Sequence, residues 1–152
     1  MTAGSPTAAD EAFQTAILQG VSRTFALTIP VLPDALSRAV GNAYLLCRIA
    51  DTIEDDAGLP FAEKQRYSDW FNEVVEGHAD AQSFGDELAG RLAPHATSAE
   101  RELIGQSARV IRITHSLAPE QRQALARCVR VMTDGMLFYQ GQETLDGLAD
   151  QV

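Results

Sequence analysis

Residues 44–56 read Tyr-Leu-Leu-Cys-Arg-Ile-Ala-Asp-Thr-Ile-Glu-Asp-Asp, an apolar helical run that passes into acidic residues without a turn signal. An α-helix of about 3.6 residues per turn brings four of these side chains within an arc of about 60°: Tyr44, Arg48, Asp51 and Asp55. Glu54 lies at the edge of this arc, and Asp56 points away from it. One helix face therefore carries an aromatic hydroxyl, a guanidinium and two carboxylates one turn apart.

The two carboxylates on this face indicate a cation site. Carboxylates four residues apart repel each other by roughly a few tenths of a kcal/mol. Acidic side chains are also unfavourable at the C-terminal end of a helix, where the macrodipole is negative. A divalent cation removes the repulsion, and Mg²⁺ binds through one or two carboxylates together with phosphate oxygens. The spacing alone leaves a second alternative open, a solvated acidic helix end.

The composition is that of one soluble domain with a substantial core. The 152 residues are 45% hydrophobic and 22% charged. The formal net charge of −9 argues against a nucleic-acid surface, because binding a phosphate backbone needs clustered Lys and Arg. It leaves open a small anionic substrate that is held through a metal ion.

The cysteines and the N-terminus favour a reducing, cytoplasmic setting. Cys47 and Cys128 lie far apart in the sequence, each within an apolar helical pattern, and we predict buried thiols at both. The sequence has no CxxC pair or disulfide framework. We read no signal peptide at the N-terminus, and no apolar run approaches the roughly 20 residues of a membrane span.

Hydrophobic periodicity predicts an all-α chain of about six or seven helices. They follow a disordered terminus at 1–9, and Asp10 is the predicted cap of the first helix. We expect Trp70 to be a core residue rather than a substrate platform, and His115 to end its helix rather than act as a catalyst. The predicted ranges are 11–20, a helix opened by residues 22–25, 35–55, 61–77, 85–94, 97–115 and 116–141, with a polar tail at 142–152.

The periodicity also predicts which side chains are buried around these motifs. Ser22 reads as a helix cap and Phe25 as a core residue from the pattern alone. In the helix 35–55, capped by Asp34, one stripe next to the acidic face is expected to form the core. Its members are Leu36, Val40, Ala43 and Cys47.

Three segments resemble the squalene/phytoene synthase family, the head-to-head isoprenyl diphosphate synthases. Residues 22–25, Ser-Arg-Thr-Phe, are similar to the family's Ser-Arg-[Ser/Thr]-Phe motif. Residues 44–56 are similar to its first aspartate-rich helix, in the form closest to bacterial squalene synthases. Residues 129–138 resemble the helix before the family's second conserved region. The resemblance covers about residues 12–150 and implies the all-α isoprenoid-synthase fold.

The resemblance implies a two-step reaction. Two farnesyl diphosphates condense to presqualene diphosphate, which is then reduced to squalene with hydride from NADPH. Mg²⁺ held by Asp51 and Asp55 would assist loss of diphosphate, with Glu54 ligating or tuning the ion. The resemblance assigns catalysis to Asp51, Asp55 and Tyr44, substrate binding to Ser22, Phe25, Tyr44 and Arg48, and cofactor binding to Arg23 and Arg48.

The sequence departs from the family in lacking a second aspartate-rich helix. Asp146 and Asp150 have the right spacing but lie in a glycine-broken tail, and we do not take them as a substitute. Residues 10–152 are therefore expected to be the N-terminal half of a synthase domain, inactive alone and able to self-associate through uncovered apolar faces. The apolar product would bring peripheral membrane contact. Two alternatives are a phytoene-type or hydroxysqualene-type relative and a non-catalytic dimerising or assembly module.

Overall fold

The structure, a computed structural model, describes residues 5–22, 33–94 and 96–150, with side chains at all of these except 34–35 and 137–150. These described ranges form seven α-helices and no strand, which confirms the all-α prediction. The predicted helix opened by residues 22–25 lies almost wholly outside them. The helices are α1 (Ala8–Val21), α2 (Asp34–Asp55), α3 (Phe61–Glu76), α4 (Ala81–Arg91), α5 (Ser98–Gly105), α6 (Ser107–Ser116) and α7 (Pro119–Asp150).

The central element is α2, which packs against α1, α3, α5, α6 and α7. Four large side chains of α2 are fully buried: Leu45, Leu46, Ile49 and Ile53. On a helical wheel this buried side lies roughly 160° from the face that carries Asp51 and Asp55. The acidic face is therefore turned away from the core of the described residues.

The predicted core stripe of α2 is wrong. Leu36 is 47% exposed, and Val40, Ala43 and Cys47 are only half-buried. The true buried side includes Asn42, which is fully buried. Because a polar residue lies within this buried side, a count of hydrophobic positions does not identify the side as the core face.

Asn42 joins three helices through hydrogen bonds. Its side-chain amide donates to Gln14 Oε1 of α1 at 3.0 Å and to the Val110 carbonyl of α6 at 3.0 Å. The Thr114 hydroxyl donates to Asn42 Oδ1 at 2.6 Å. Because every partner is buried or nearly so, this network fixes the rotation of α2 about its axis.

Aromatic side chains fill the contact between α3 and α4. The rings of Phe71 and Phe84 are stacked with centroids 5.4 Å apart, and Trp70 meets Phe84 edge-on at 5.5 Å. Trp70 is half-buried and packs against the core, as predicted. This cluster supports α2 from the side opposite the acidic face.

Helix α1 begins earlier than predicted, within the terminus expected to be disordered. Thr7 is the N-cap, and its hydroxyl accepts from the Asp10 amide at 3.2 Å. Asp10 is instead a fully buried carboxylate that accepts from Arg112 at 2.8 and 2.9 Å and from Arg109 at 3.2 Å. The hydrogen bond from Arg112 is the main reason that the pKa of Asp10 lies far below its usual range. Asp10 is thus the third residue of a capping box, where it accepts from the Thr7 amide at 2.9 Å, and it also forms an ion pair between α1 and α6.

The predicted helix 97–115 is two helices, α5 and α6. The break falls at Gln106, after Gly105, a residue type that weakens helix interiors. Here the Ser107 hydroxyl donates to the Ile104 carbonyl at 2.6 Å. A Cβ on Gly85 of α4 would lie 2.6 Å from that carbonyl, so the close approach of α4 requires glycine.

The last helix is longer than predicted, because its backbone stays helical to Asp150 through the expected polar tail. The prediction of buried thiols is wrong for Cys128, which is exposed on this helix, while Cys47 is half-buried. In the described part of the chain no helix is both long enough and apolar enough to span a membrane.

Candidate functional site

The C-terminal turn of α2 places two carboxylates one turn apart. Asp51 is half-buried and Asp55 is exposed. Burial raises the pKa of Asp51, the neighbouring charge of Asp55 raises it further, and Arg48 partly offsets both effects. The folded chain therefore holds Asp51 where its anionic form is unfavourable, which is typical of a carboxylate at a functional site.

Arg48 is held on the same face by an ion pair with α5. Its Nη2 lies 3.6 Å from Glu100 Oε1. Glu100 is itself fixed at the start of α5, because the Thr97 hydroxyl donates to Oε1 at 3.0 Å and accepts from the Glu100 amide at 3.1 Å. Arg48 Nε is buried and has no hydrogen-bond partner among the described residues. Arg48 thus keeps a donor that an added oxygen ligand could use.

A cavity of about 210 Å³ lies between this end of α2 and the start of α5. Arg48 and Asp55, which the sequence placed on one face, both line it. Thr52 and Glu100 line it too and were not predicted as site residues. Thr52 could have been found from the sequence, because it follows Arg48 by four residues and so lies close to it on the helix surface. In the structure the Thr52 hydroxyl donates to the Arg48 carbonyl at 2.8 Å. The lining residues are Arg48, Thr52, Asp55, Asp56, Ala96 and Glu100.

The end of α2 is anchored on both sides of the acidic pair. Asp56 is the C-cap of α2 and is buried. Its carboxylate accepts from the Gly58 amide and from the Ala93 amide, each at 2.8 Å. The Lys64 ammonium donates to the Glu54 carbonyl at 2.5 Å. These contacts set where the last turn of α2 stops.

The other predicted site residues fall in different places. Tyr44 is half-buried on α2, one turn before Arg48, and packs against the core. Ser22 is half-buried and caps the C-terminus of α1 through its amide, which donates to the Leu18 carbonyl at 2.8 Å. The helix for which the sequence pattern indicated Ser22 as the N-cap lies outside the described residues. Arg23 and Phe25 lie outside the described residues.

The donor set fits a magnesium ion that is held by two carboxylates. Asp51 and Asp55 are hard oxygen donors, and burial together with the charge of Asp55 raises the pKa of Asp51, so a cation bound between the two carboxylates would stabilise their charged forms. Glu54 directly precedes Asp55 in the sequence, and its side chain is half-buried. The ligand atoms of Asp51, Glu54 and Asp55 do not gather within 4.8 Å of one another, so three-fold ligation is not preformed among these described side chains.

A second set of potential ligands lies elsewhere, at the C-terminus of α3. The ligand atoms of Glu73, Glu76 and His78 do come within 4.8 Å of one another. Arg130 of α7 already occupies this cluster, with Nη2 at 2.5 Å and Nε at 2.9 Å from Glu76 Oε2. The cluster is a surface ion-pair contact between α3 and α7.

His115 ends α6, as predicted. Its Nε2 lies 3.0 Å from the Val75 carbonyl, and burial lowers the pKa of the imidazole. The ring therefore serves as a contact between α6 and α3.

The comparisons with known proteins agree with the fold. The sequence matches the squalene/phytoene synthase family over residues 18–150. The squalene synthase of Schizosaccharomyces pombe is 30% identical over 125 residues, covering 81% of this chain and 25% of that protein. The Botryococcus squalene synthase of Botryococcus braunii is 29% identical over 139 residues, covering 91% of this chain and 28% of that protein.

A solved structure gives the same result in three dimensions. The complex of TcSQS with the ligand BPH1237 superposes with a TM-score of 0.71 at 28% identity, covering 86% of this chain and 36% of that one. The chain spans 25% and 28% of the length of the two curated relatives above. The chain therefore belongs to the squalene/phytoene synthase family and has the all-α isoprenoid-synthase fold.

Proposed function

We propose that this chain supplies the first metal and diphosphate site of a squalene-synthase-type prenyltransferase. The relatives reported above are named as squalene synthases. The observation that carries the proposal is the state of Asp51. Its carboxylate is half-buried beside Asp55, so its pKa is raised, and the same face offers an unused buried donor on Arg48. A cation and a phosphate oxygen would satisfy both features.

The residues of α2 would divide the work of binding a diphosphate. Asp51 and Asp55 would hold Mg²⁺, with Glu54 adjusting the charge around it. Arg48 would bind a diphosphate oxygen, because a guanidinium grips phosphate through more than one N–H. Bound Mg²⁺ would neutralise the charge that develops on a departing diphosphate. Tyr44, one turn before Arg48, would line the same end of the site.

Glu100 would set the direction of the Arg48 guanidinium. It is fixed by Thr97 at the N-terminal turn of α5, so it is a rigid partner. The pair is only partly buried, with side chains 32% and 19% exposed, and its N–O distance is 3.6 Å. Such a pair is weak, so a diphosphate oxygen could compete for the guanidinium without a large rearrangement.

The reaction proposed for the whole protein is the condensation of two farnesyl diphosphates to presqualene diphosphate, followed by reduction to squalene with NADPH. Ser22, Phe25, Tyr44 and Arg48 are the proposed substrate-binding residues, and Arg23 and Arg48 are the proposed cofactor-binding residues. An apolar product of this kind would favour contact with a membrane surface. The 152 residues contain one acidic helix of this type.

The test is calorimetric titration of the chain with inorganic pyrophosphate in the presence of Mg²⁺. We expect binding by the parent chain and a loss of affinity of about tenfold or more in Asp51→Asn. Changing a residue that only hydrogen-bonds to a metal ligand lowers metal affinity by about 10–100-fold, and removing the ligand itself should lower it at least as much. Asp69→Asn is the matched control, because Asp69 is an exposed carboxylate on α3, away from the site. Equal affinity in all three proteins would refute the proposed site.

The same preparation tests turnover. We expect neither presqualene diphosphate nor squalene when the 152 residues are incubated with farnesyl diphosphate, Mg²⁺ and NADPH, because they hold one acidic helix. Product formation would show that the present residues complete the reaction by another arrangement. Pyrophosphate binding without product is the combined result that supports the proposal.

A further inference from the structure

The C-terminal end of α2 is tied to α5 at two places. The first tie is direct, because Arg48 Nη2 lies 3.6 Å from Glu100 Oε1. The second tie passes through the backbone of Ala93, in the connection between α4 and α5. The Ala93 amide donates to Asp56 Oδ2 at 2.8 Å, and the Ala93 carbonyl accepts from Arg101 Nη2 at 2.5 Å. Two consecutive residues of α5 therefore form the two ties, and three of the tied side chains line the cavity described above: Arg48, Asp56 and Glu100.

The second tie is buried and closely packed. Asp56 and Ala93 are both buried, and the other carboxylate oxygen of Asp56, Oδ1, accepts from the Gly58 amide at 2.8 Å. A Cβ on Gly58 would lie 3.1 Å from this oxygen and 3.5 Å from the Cβ of Ala93. Both oxygens of a buried carboxylate are thus bound to backbone N–H groups, and hydrogen bonds to an ionised acceptor are strong. The corner therefore holds Ala93 in one position relative to the end of α2.

We propose that Asp56 is a positioning residue for diphosphate binding, because it holds α5 where Glu100 directs the Arg48 guanidinium at the cavity. This inference rests on the diphosphate site proposed above. It gives Asp56 a different task from Asp51 and Asp55, since a cation could bind its oxygens only by displacing two backbone amides. The third aspartate at this end of α2 would thus act through Arg48 rather than on the metal ion.

The path from the second tie to the guanidinium is a short series of hydrogen bonds. The Ala93 carbonyl also accepts from the Ala96 amide at 3.0 Å, and Ala96 directly precedes Thr97, the N-cap of α5. The Thr97 hydroxyl in turn holds the carboxylate of Glu100 at 3.0 Å. A displacement of Ala93 would therefore shift the first turn of α5. Because the pair of Glu100 with Arg48 is long and partly exposed, a small shift is enough to release the guanidinium.

Asp56→Asn tests this role, because asparagine keeps the size of the side chain and replaces one of its two acceptor atoms by a donor. One backbone N–H would then face the amide nitrogen and lose its acceptor, so the corner has to open. We expect the affinity for pyrophosphate in the presence of Mg²⁺ to fall by about tenfold, since a hydrogen bond to a charged group contributes at least that factor. Gly58→Ala crowds Oδ1 of Asp56 and should lower the affinity in the same direction.

A double-variant cycle, measured by calorimetric titration with pyrophosphate and Mg²⁺, separates positioning from a direct effect on the metal ion. Arg48→Met alone should lower the affinity. Asp56→Asn should cause no further loss in the Arg48→Met chain, because its effect passes through the missing guanidinium. Asp10→Asn is the matched control: it also alters a buried, hydrogen-bonded carboxylate, in the contact between α1 and α6, and should leave the affinity unchanged. An equal loss with and without Arg48 would overturn the proposal, as would unchanged affinity in Asp56→Asn.

A second measurement needs no ligand. Arg48 Nε is buried, so its N–H should exchange slowly with water and give a separate NMR signal, which Arg48→Lys identifies by its loss. Asp56→Asn should speed this exchange, whereas Asp10→Asn should not, and an unchanged rate in Asp56→Asn would overturn the positioning role.

The two proposals fail in different ways. If the parent chain does not bind pyrophosphate, the proposed function fails and this inference fails with it. If the parent binds, Asp51→Asn does not and Asp56→Asn keeps the parent affinity, this inference alone is wrong. Circular dichroism checks the fold of each variant, and Gly58→Ala undergoes the same two tests if Asp56→Asn does not fold.

Discussion

Replacing Asp51 by asparagine should stabilise the metal-free chain while it weakens Mg²⁺ binding. Burial and the charge of Asp55 raise the pKa of Asp51 in the folded state. The anionic form of this side chain therefore opposes folding at neutral pH. Asparagine is close in size to aspartate and removes the charge, so the unfavourable contribution disappears. If Asp51 had a purely structural role, the substitution would lower the free energy of unfolding instead.

The magnitude follows from the pair of carboxylates on α2. Two unit charges about 6 Å apart repel by about 0.7 kcal/mol in water and by about 2.8 kcal/mol at an effective dielectric constant of 20. The repulsion between like charges four residues apart on an exposed helix surface is only about a few tenths of a kcal/mol. Arg48 offsets part of the repulsion here. We expect Asp51→Asn to raise the free energy of unfolding by about 0.5–1 kcal/mol, or the melting temperature by about 1–4 °C.

The pH dependence of the stability provides a second test of this prediction. A folded-state pKa that is raised above the unfolded value means that the carboxyl contributes no penalty below the unfolded pKa, about 4. The penalty appears as the pH rises through the folded pKa. The stability difference between Asp51→Asn and the parent should therefore be near zero at acid pH and reach its full value near neutral pH.

The assay is urea unfolding followed by circular dichroism, across a pH series and with or without Mg²⁺. Asp69→Asn is the control, because this exposed carboxylate should show neither effect. Saturating Mg²⁺ should stabilise the parent chain and not Asp51→Asn, since a ligand stabilises the state that binds it. If Asp51→Asn is less stable than the parent without metal, the description of the acidic face as a strained cation site is refuted.

Three further substitutions test the packing, each by urea unfolding. Asp10→Asn should lower the free energy of unfolding by about 2–3 kcal/mol, because it breaks an ion pair between the buried Asp10 carboxylate and the partly exposed Arg112 guanidinium. Since the pKa of Asp10 is lowered, this stability difference from the parent should be full above a pH of about 4 and should shrink as the pH falls further. Phe71→Ala should cost about 4 kcal/mol, because the ring is fully buried. Tyr67→Phe should leave stability unchanged or raise it by up to about 1 kcal/mol, because the hydroxyl is buried and has no hydrogen-bond partner within the described part of the chain.

The sequence predicted the parts of the site that depend on one helix. The positions of Asp51 and Asp55 one turn apart, and of Arg48 on their side, follow from the helical repeat. The same repeat failed for burial, because Leu36 is 47% exposed where a core residue was expected. Which side of a helix is buried depends on what packs against it, and Asn42 interrupts the apolar pattern on the buried side of α2.

The features that the sequence could not provide all involve distant partners. Glu100 was not predicted as a site residue, and only the fold brings it to Arg48. Asp10 was predicted as a helix cap, and only the fold brings its carboxylate to Arg112. Residues far apart in sequence carry no local signal of their contact, so such pairs need the tertiary structure.

The opposed faces of α2 explain why the acidic pair stays in a strained position. The Asn42 network fixes the rotation of the helix from its buried side. The buried cap made by Asp56 fixes where the helix ends. With rotation and end both set by the core, Asp51 cannot turn outward to water without disturbing those contacts. The unfavourable state of its carboxylate is therefore maintained by the stability of the rest of the fold, and the cation that we propose would relieve it without disturbing the packing.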